Sequence, residues 1–466
     1  MLYAVLSRQA VRWSSTFSPL DIEELPGLHL HDRVFFYGLC YNGFGKDKVT
    51  LSRGYVHMSA KSRIQNTARV YSVEFWRFAF TLIVAMYHLE IFYQKKLMPS
   101  GTTAVEFFFI LAGFTIAMSA GRRVEAGGKR ELSSREAHAI AMDYLKKKLV
   151  MIYPLLLITL VITIVVIPLA SPSLPMFSGL ESNGFWQDLL EKVKALVNSE
   201  WEWLLMVGTP MGFNEASASS APIVPLWFLT QLLVAGYLYS FLVNRKFDLM
   251  MFASPLIAIL GYTYFVLNSE KILDFYIRMG FLNAGTVRAI AGMAAGISIY
   301  QIYVKMKGRD WTIFGRILLQ LLELLAIYRF CALTFYADIS IDNFRRIPYI
   351  LIIILLSFVN VTFLSKLLNR RFMEKLGKIS LPIYLIHFPI ATVYWSMLFT
   401  LKRIPSARSL PTLILRSGGT DQRFLQIPLS WGDVLMYLPL VIITSVLIHL
   451  AVNGVRRLRA ILRAKR

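Results

Sequence analysis

Cysteine is almost missing from this chain: 466 residues contain two, Cys40 and Cys331. Two distant cysteines supply neither a disulfide framework nor a cysteine-rich metal site. Charge is scarce too. Charged residues make up 17% of the chain, against about 25% in ordinary soluble proteins, while 56% of it is apolar. A soluble domain has no way to bury that much hydrocarbon, and a disordered chain would not carry it. Acids are the scarcer sign, with 28 Asp and Glu against 50 Lys and Arg and a net charge of +22. The motifs of several chemistries are absent as well. No HExxH, no paired CxxC and no phosphate-cradling Gly-Lys-Ser/Thr loop occurs, so neither a bound metal nor nucleotide hydrolysis is expected.

What the chain does have is apolar blocks of about 20 residues, the length that crosses a bilayer. Hydropathy windows place ten candidate spans near 74–94, 103–120, 149–170, 224–243, 249–267, 285–304, 313–333, 347–365, 379–400 and 434–454. The expected fold class is therefore all-α, a polytopic membrane helical bundle of about ten transmembrane helices in a cell (inner) membrane. If the segment before the first span is cytoplasmic, that side collects the larger share of Lys and Arg, so both termini are expected there. The same bias explains the basic balance without a nucleic-acid partner. Residues 186–207 are amphipathic and acidic, reading as an outside-surface helix or a partly re-entrant one. Residues 1–69 hold no sustained span and form an extension of uncertain role, with Met58 as an alternative start. Residues 70–454 make the membrane domain, and 455–466 a basic cytoplasmic tail.

Charges inside a span are expensive and therefore informative. The first span, EFWRFAFTLIVAMYHLEIFY, contains Glu74, Arg77, His88 and Glu90. Arg77 and His88 are eleven residues apart, which is about 1100° of rotation, so they share a helix face and lie about 16.5 Å apart along its axis. Spacing alone permits two readings. In one, both line a protein-walled interior; in the other, Arg77 snorkels to the cytoplasmic surface and His88 sits at the outer interface. The second span, GTTAVEFFFILAGFTIAMS, carries Glu106 near its start and Gly113, which permits close helix packing. Glu323 and Arg329 in the seventh span are six residues apart and fall on different faces, so each is expected to find its own partner. His449 is expected to make a structural contact in the last span, and His29, His31, His57 and His138 to be incidental.

Taken in order, RFAFTLIVAMYH (an R-x10-H pattern), VEFFFILAGF, LWFLTQLL and LGKISLPIYLIHFPI resemble the type-3 membrane-bound acyltransferases, a family best known for O-acetylating bacterial cell-surface glycans. The resemblance implies ten or so helices and an acyl-coenzyme A donor, with acetyl-CoA favoured, acting as substrate rather than as a permanent cofactor. It also implies an extracytoplasmic glycan or lipid-linked sugar acceptor among membrane lipids. By position, Arg77, His88 and Glu106 become the catalytic candidates. Trp227, Arg288, Tyr384 and His387 become substrate-binding candidates. The segment YLKKKLVMIYP departs from the pattern, with Lys148 and Met151 where arginine is usual. Lys148 lacks the bidentate guanidinium fork, and Lys146 and Lys147 are expected to help hold the donor's phosphates electrostatically. The Trp227 segment also lacks the family's Ser-Leu-x-x-Glu form, having Gln231 nearby. No appended hydrolase-like domain is expected.

Acyl transfer from a thioester to a hydroxyl requires removal of a proton, for which neutral imidazole is suited. His88 is expected to act as base toward the acceptor or to carry the acyl group, and Arg77 to contact the donor. Glu106 either orients His88 or pairs with Arg77. The rival readings are a polysaccharide or lipid-linked glycan exporter and a structural envelope protein. Acceptor identity, acyl group and oligomeric state are not legible in the sequence.

Overall fold

Cap chemistry shows how one helix starts. The Ser133 side chain accepts from the Glu136 backbone N–H while Glu136 reaches back to the Ser133 N–H at 2.8 Å. This reciprocal box begins a helix at Ser134, and its hydrogen bonds from Ser133 hold the Glu136 carboxyl below the usual range. Residues 134–148, read in the sequence as loop, are thus the first turns of a helix that runs on through the apolar block.

The computed structural model describes residues 70–90, 97–163, 226–268, 278–279, 282–336, 345–401 and 430–464. The chain divides into Met1–Arg69 and Val70–Arg466. The expectations for residues 1–69 and for 186–207 lie outside the described residues.

In the second unit, α1 (Tyr71–Glu90) is followed by a single 3-10 turn, α2 (Ala104–Glu125), α3 (Ser134–Val161), α4 (Leu226–Arg245) and α5 (Phe247–Asn268). A two-residue antiparallel pair, β1 (Arg278–Met279) and β2 (Leu282–Asn283), precedes α6 (Ala284–Met306). Then come α7 (Ile313–Tyr336), α8 (Ile347–Val359), α9 (Phe363–Leu368), α10 (Met373–Leu401) and α11 (Trp431–Ala464). Apart from that pair, the described elements are helical, as expected for an all-α fold. Among the described residues six helices are long and apolar enough to cross a membrane.

Their exposure pattern is that of a membrane protein. α5, α7 and α11 turn apolar side chains outward, including Phe252 at 83% exposure, Phe314 at 76% and Leu435 at 71%. Such a surface is stable only against lipid. The inner layer holds the polar groups instead: Glu106, Arg288, Glu323, Arg346 and His387 are all buried.

Small residues bring the central pair together. A Cβ at Gly113 of α2 would strike the Met293 carbonyl, and one at Gly296 of α6 would strike the Ile110 carbonyl. The Gly292-x-x-x-Gly296 stripe therefore lets the two backbones touch, as Gly113 had suggested. Gly296→Val is expected to destabilise the fold by more than about 3 kcal/mol, since backbone cannot yield as a side chain does. Gly454→Ala, which meets nothing within 4 Å, serves as the neutral control in thermal melts of the detergent-solubilised protein.

One expected span is interrupted. The block 347–365 forms α8 and then α9, because Asn360 turns left-handed at φ 57° and caps α8 through a 2.9 Å bond from its N–H to the Leu356 carbonyl. Asn tolerates that conformation. Thr362 then caps α9 by accepting from the Ser365 N–H at 3.1 Å. Hydropathy counts apolar residues and passes over such a break. In this bend Ser365 Oγ donates to Glu323 Oε1 at 2.8 Å, while Arg329 faces outward on the exposed side of α7. The two charges do part company, as their spacing required.

Ion pairs gather at one end of the bundle. Arg130 pairs with Asp248, Lys246 with Glu131 at 2.7 Å and Lys307 with Glu125 at 2.5 Å. Arg245 Nη1 donates to the Leu132 carbonyl at 2.8 Å. Each exposed pair contributes about 0–1 kcal/mol; the Arg130, Lys246 and Arg245 contacts tie the turn between α4 and α5 to the α2–α3 loop, and Lys307–Glu125 ties the end of α6 to the end of α2.

Candidate active site

α1 and α10 pack side by side and run in the same direction. Near their starts, the Glu74 carboxylate of α1 occupies the space where a Cβ on Gly377 of α10 would sit. Further along, His88 of α1 meets His387 of α10, with His387 Nε2 3.1 Å from His88 Nδ1. A third helix clamps this end: Tyr437 Oη of α11 donates to the His387 carbonyl at 2.9 Å and lies 3.4 Å from the Ala85 carbonyl of α1.

Both imidazoles are keyed to their own helices. His88 Nδ1 lies 2.9 Å from the Val84 carbonyl, and His387 Nδ1 lies 3.1 Å from the Ile383 carbonyl. A carbonyl only accepts, so each Nδ1 carries the proton, and a neutral ring has one. His387 Nε2 is then a bare acceptor for the His88 Nδ1–H, which it shares with Val84. The same assignment leaves the lone pair of His88 on Nε2.

Arg77 stands at the opposite end of the shared α1 face. Its Nη1 contacts Glu74 Oε2 at 2.7 Å, with the arginine 29% exposed. Lys148 of α3 is near enough for its charge to interact with that of Arg77, and its ammonium lies 5.6 Å from the Tyr144 ring centroid. Lys146 is exposed, and Lys147 is spent on Asp143 at 2.5 Å. Of the three lysines, Lys148 is the one beside Arg77.

Glu106 is bonded to neither of the partners weighed from the sequence. Its Oε1 accepts from Arg288 Nε at 2.6 Å and its Oε2 from Tyr262 Oη at 2.8 Å. Arg288 and Glu106 are 2% and 1% exposed. The Arg288 guanidinium carbon lies 5.5 Å from the Trp227 ring centroid and 5.9 Å from that of Phe265, geometry that favours a cation over aromatic faces. Gly292 admits this arrangement, because a Cβ there would press on Phe109, Tyr262 and Glu106.

Tyr384 joins this cluster to the histidines. Its ring lies 5.7 Å from that of His387 and 5.3 Å from that of Phe228, and its hydroxyl feels the charge of Arg288. The structure thus brings His88, His387, Tyr384, Arg288, Glu106 and Trp227 into one contiguous region, with Arg77 and Lys148 apart at the other end. Tyr262 and Tyr437 carry no signal in the sequence, being two tyrosines among 22. His138 and His449 find simple partners, Tyr237 Oη at 2.7 Å and Asn453 Nδ2 at 2.8 Å.

A family model described as an acyltransferase domain, that of acyltransferase family 3, matches residues 70–450. Neither the curated proteins nor the solved structures compared give a match. The matched stretch covers most of the chain and contains both ends of the α1–α10 pair. Motif order, buried charges and family match converge: this chain is a membrane protein that belongs to acyltransferase family 3.

Proposed function

We propose that the protein is an integral membrane O-acyltransferase. It moves an acyl group, acetyl as the first choice, from cytoplasmic acyl-CoA to a hydroxyl of an extracytoplasmic glycan or related acceptor. The observation that carries this reading is the α1–α10 pair, with a cationic group at one end of the shared face and a two-imidazole contact at the other. The parallel run of α1 and α10 requires an odd number of crossings between them, which the ten-span arrangement meets whichever way it faces; one feature supports the sidedness. The exposed ion pairs lie at the end that the Lys/Arg bias makes cytoplasmic.

Each group then has a task. Arg77, held by Glu74, and Lys148 supply positive charge to the phosphates of coenzyme A. His88 Nε2 takes the proton of the acceptor hydroxyl as its oxygen attacks the thioester carbonyl. The C–S bond breaks, and the proton goes to the departing thiolate, yielding the ester and free coenzyme A. As Nε2 is protonated, charge spreads over the ring and strengthens the hydrogen bonds that Nδ1–H donates to the Val84 carbonyl and His387 Nε2. His387 is thereby a positioning residue for His88. Arg77→Ala is expected to raise the KM for acetyl-CoA by about ten- to a hundredfold with a smaller effect on kcat, the loss of one charge-assisted contact.

Incubating membranes with labelled acetyl-CoA tests the assignment. Label entering an envelope glycan, and lost in His88→Ala, is the expected result. Glycan movement without label would identify an exporter instead.

A further inference from the structure

We infer that Gln231 is an acceptor-binding residue whose side-chain amide holds a second hydroxyl of the acceptor, beside the one that is acylated. The inference rests on the acyltransferase reading above and extends it to a group that neither the motif nor the mechanism assigned.

Gln231 lies in α4 one turn beyond Trp227, on the same helix face. It is 1% exposed. Its Oε1 is 2.8 Å from Thr286 Oγ1, at the start of α6 two residues before Arg288. Its Nε2 has no hydrogen-bond partner among the described residues. A buried amide donor left unmade is costly, and such a group in a native site needs an explanation.

Thr286 Oγ1 has two oxygens at 2.8 Å, Gln231 Oε1 and Asn283 Oδ1. Asn283 Oδ1 is the N-cap acceptor of α6, also taking the Thr286 backbone N–H at 2.8 Å. The Gln231 carbonyl oxygen is thus engaged while its Nε2 donor is idle. A hydroxyl oxygen of a ligand satisfies that donor by accepting from it.

The neighbours specify the chemistry further. Glu106 and Arg288 neutralise each other, and the Trp227 ring, on the same α4 face as Gln231, lies over the Arg288 guanidinium. Phe228, adjacent to Trp227, leads through Tyr384 to His387 and so to His88. A neutral polyol such as a sugar ring matches this lining, bringing hydroxyls for the amide and no charge that would disturb the Glu106–Arg288 pair. A carboxylate or phosphate group matches it poorly, since the buried Arg288 beside it is already paired with Glu106.

Gln231→Leu in the full-length protein separates a binding role from a structural one. The Thr286 hydroxyl that now contacts Gln231 has Asn283 Oδ1 at 2.8 Å as a second acceptor, so removal of this half-used amide is expected to leave the melting temperature in detergent unchanged or raised. Incorporation of labelled acetyl from acetyl-CoA into the endogenous envelope glycan is expected to fall ~10-fold or more, with the KM for acetyl-CoA unmoved. Wild-type incorporation by Gln231→Leu overturns the assignment. So does a melting temperature several degrees lower, which would show that the amide is structurally engaged. If the unaltered protein incorporates no label, the acyltransferase reading fails separately, and melting with extracted envelope glycan decides the subsite. A stabilising shift in the unaltered protein that Gln231→Leu lacks supports it; equal shifts in both, or none in either, refute it.

Discussion

His88→Ala is expected to reduce acyl transfer by ~100- to 10,000-fold, the usual contribution of a general base, while the protein still inserts and melts normally. The side chain's hydrogen-bonding contacts are the Val84 carbonyl of its own helix and the His387 ring. Neither is a structural anchor comparable to the Tyr437 clamp on the same helices. The conservative partner series adds detail. His387→Gln offers an amide oxygen in place of Nε2 and is expected to retain much more activity than His387→Leu, which offers nothing. The difference should appear in kcat and leave the KM for acetyl-CoA alone. If His88→Ala transfers at the wild-type rate, or if Leu and Gln at 387 behave alike, the two-imidazole account is wrong.

Glu106→Ala is expected to destabilise the protein by about 3–5 kcal/mol, because it leaves the Arg288 charge buried without its partner. The cost belongs to the broken pair, not to the pair's net worth. Replacing both, Glu106→Leu with Arg288→Met, is therefore expected to recover most of the lost stability. Acyl transfer should stay low in the double variant, because the polar floor beneath Trp227 and Tyr384 has gone. Melting curves and label incorporation on the same preparations separate the two effects. A Glu106→Ala protein that melts like wild type would mean that the pair carries no weight in the fold.

Much of this arrangement was legible before any coordinates. Long apolar blocks announced a helical membrane protein, and the eleven-residue step from Arg77 to His88 placed both on one face of the first helix. Gly113 marked a close approach, though the facing Gly292 and Gly296 could not be matched to it from sequence alone. The family likeness brought Tyr384 and His387 into view. What stayed hidden was partnership across helices. Glu106 had plausible mates in Arg77 and His88, and only packing decides that Arg288, 182 residues later, is the one. The α8–α9 break was hidden for another reason: an Asn and a Thr in an apolar block change hydropathy little, yet their backbone preferences end one helix and start the next. Lys148 could be told from Lys146 and Lys147 only once the turn of α3 aimed one of the three toward Arg77.

The most direct test of the account uses sealed vesicles with the cytoplasmic face outward. Labelled acetyl-CoA added outside, near its wild-type KM, should place acetyl on glycan enclosed within; the His88→Ala protein should fail to do so, and the Arg77→Ala protein should do so only when acetyl-CoA is raised about ten- to a hundredfold. Label on enclosed glycan that is independent of Arg77 and His88, or label transferred only when the coenzyme is supplied from within, would contradict it.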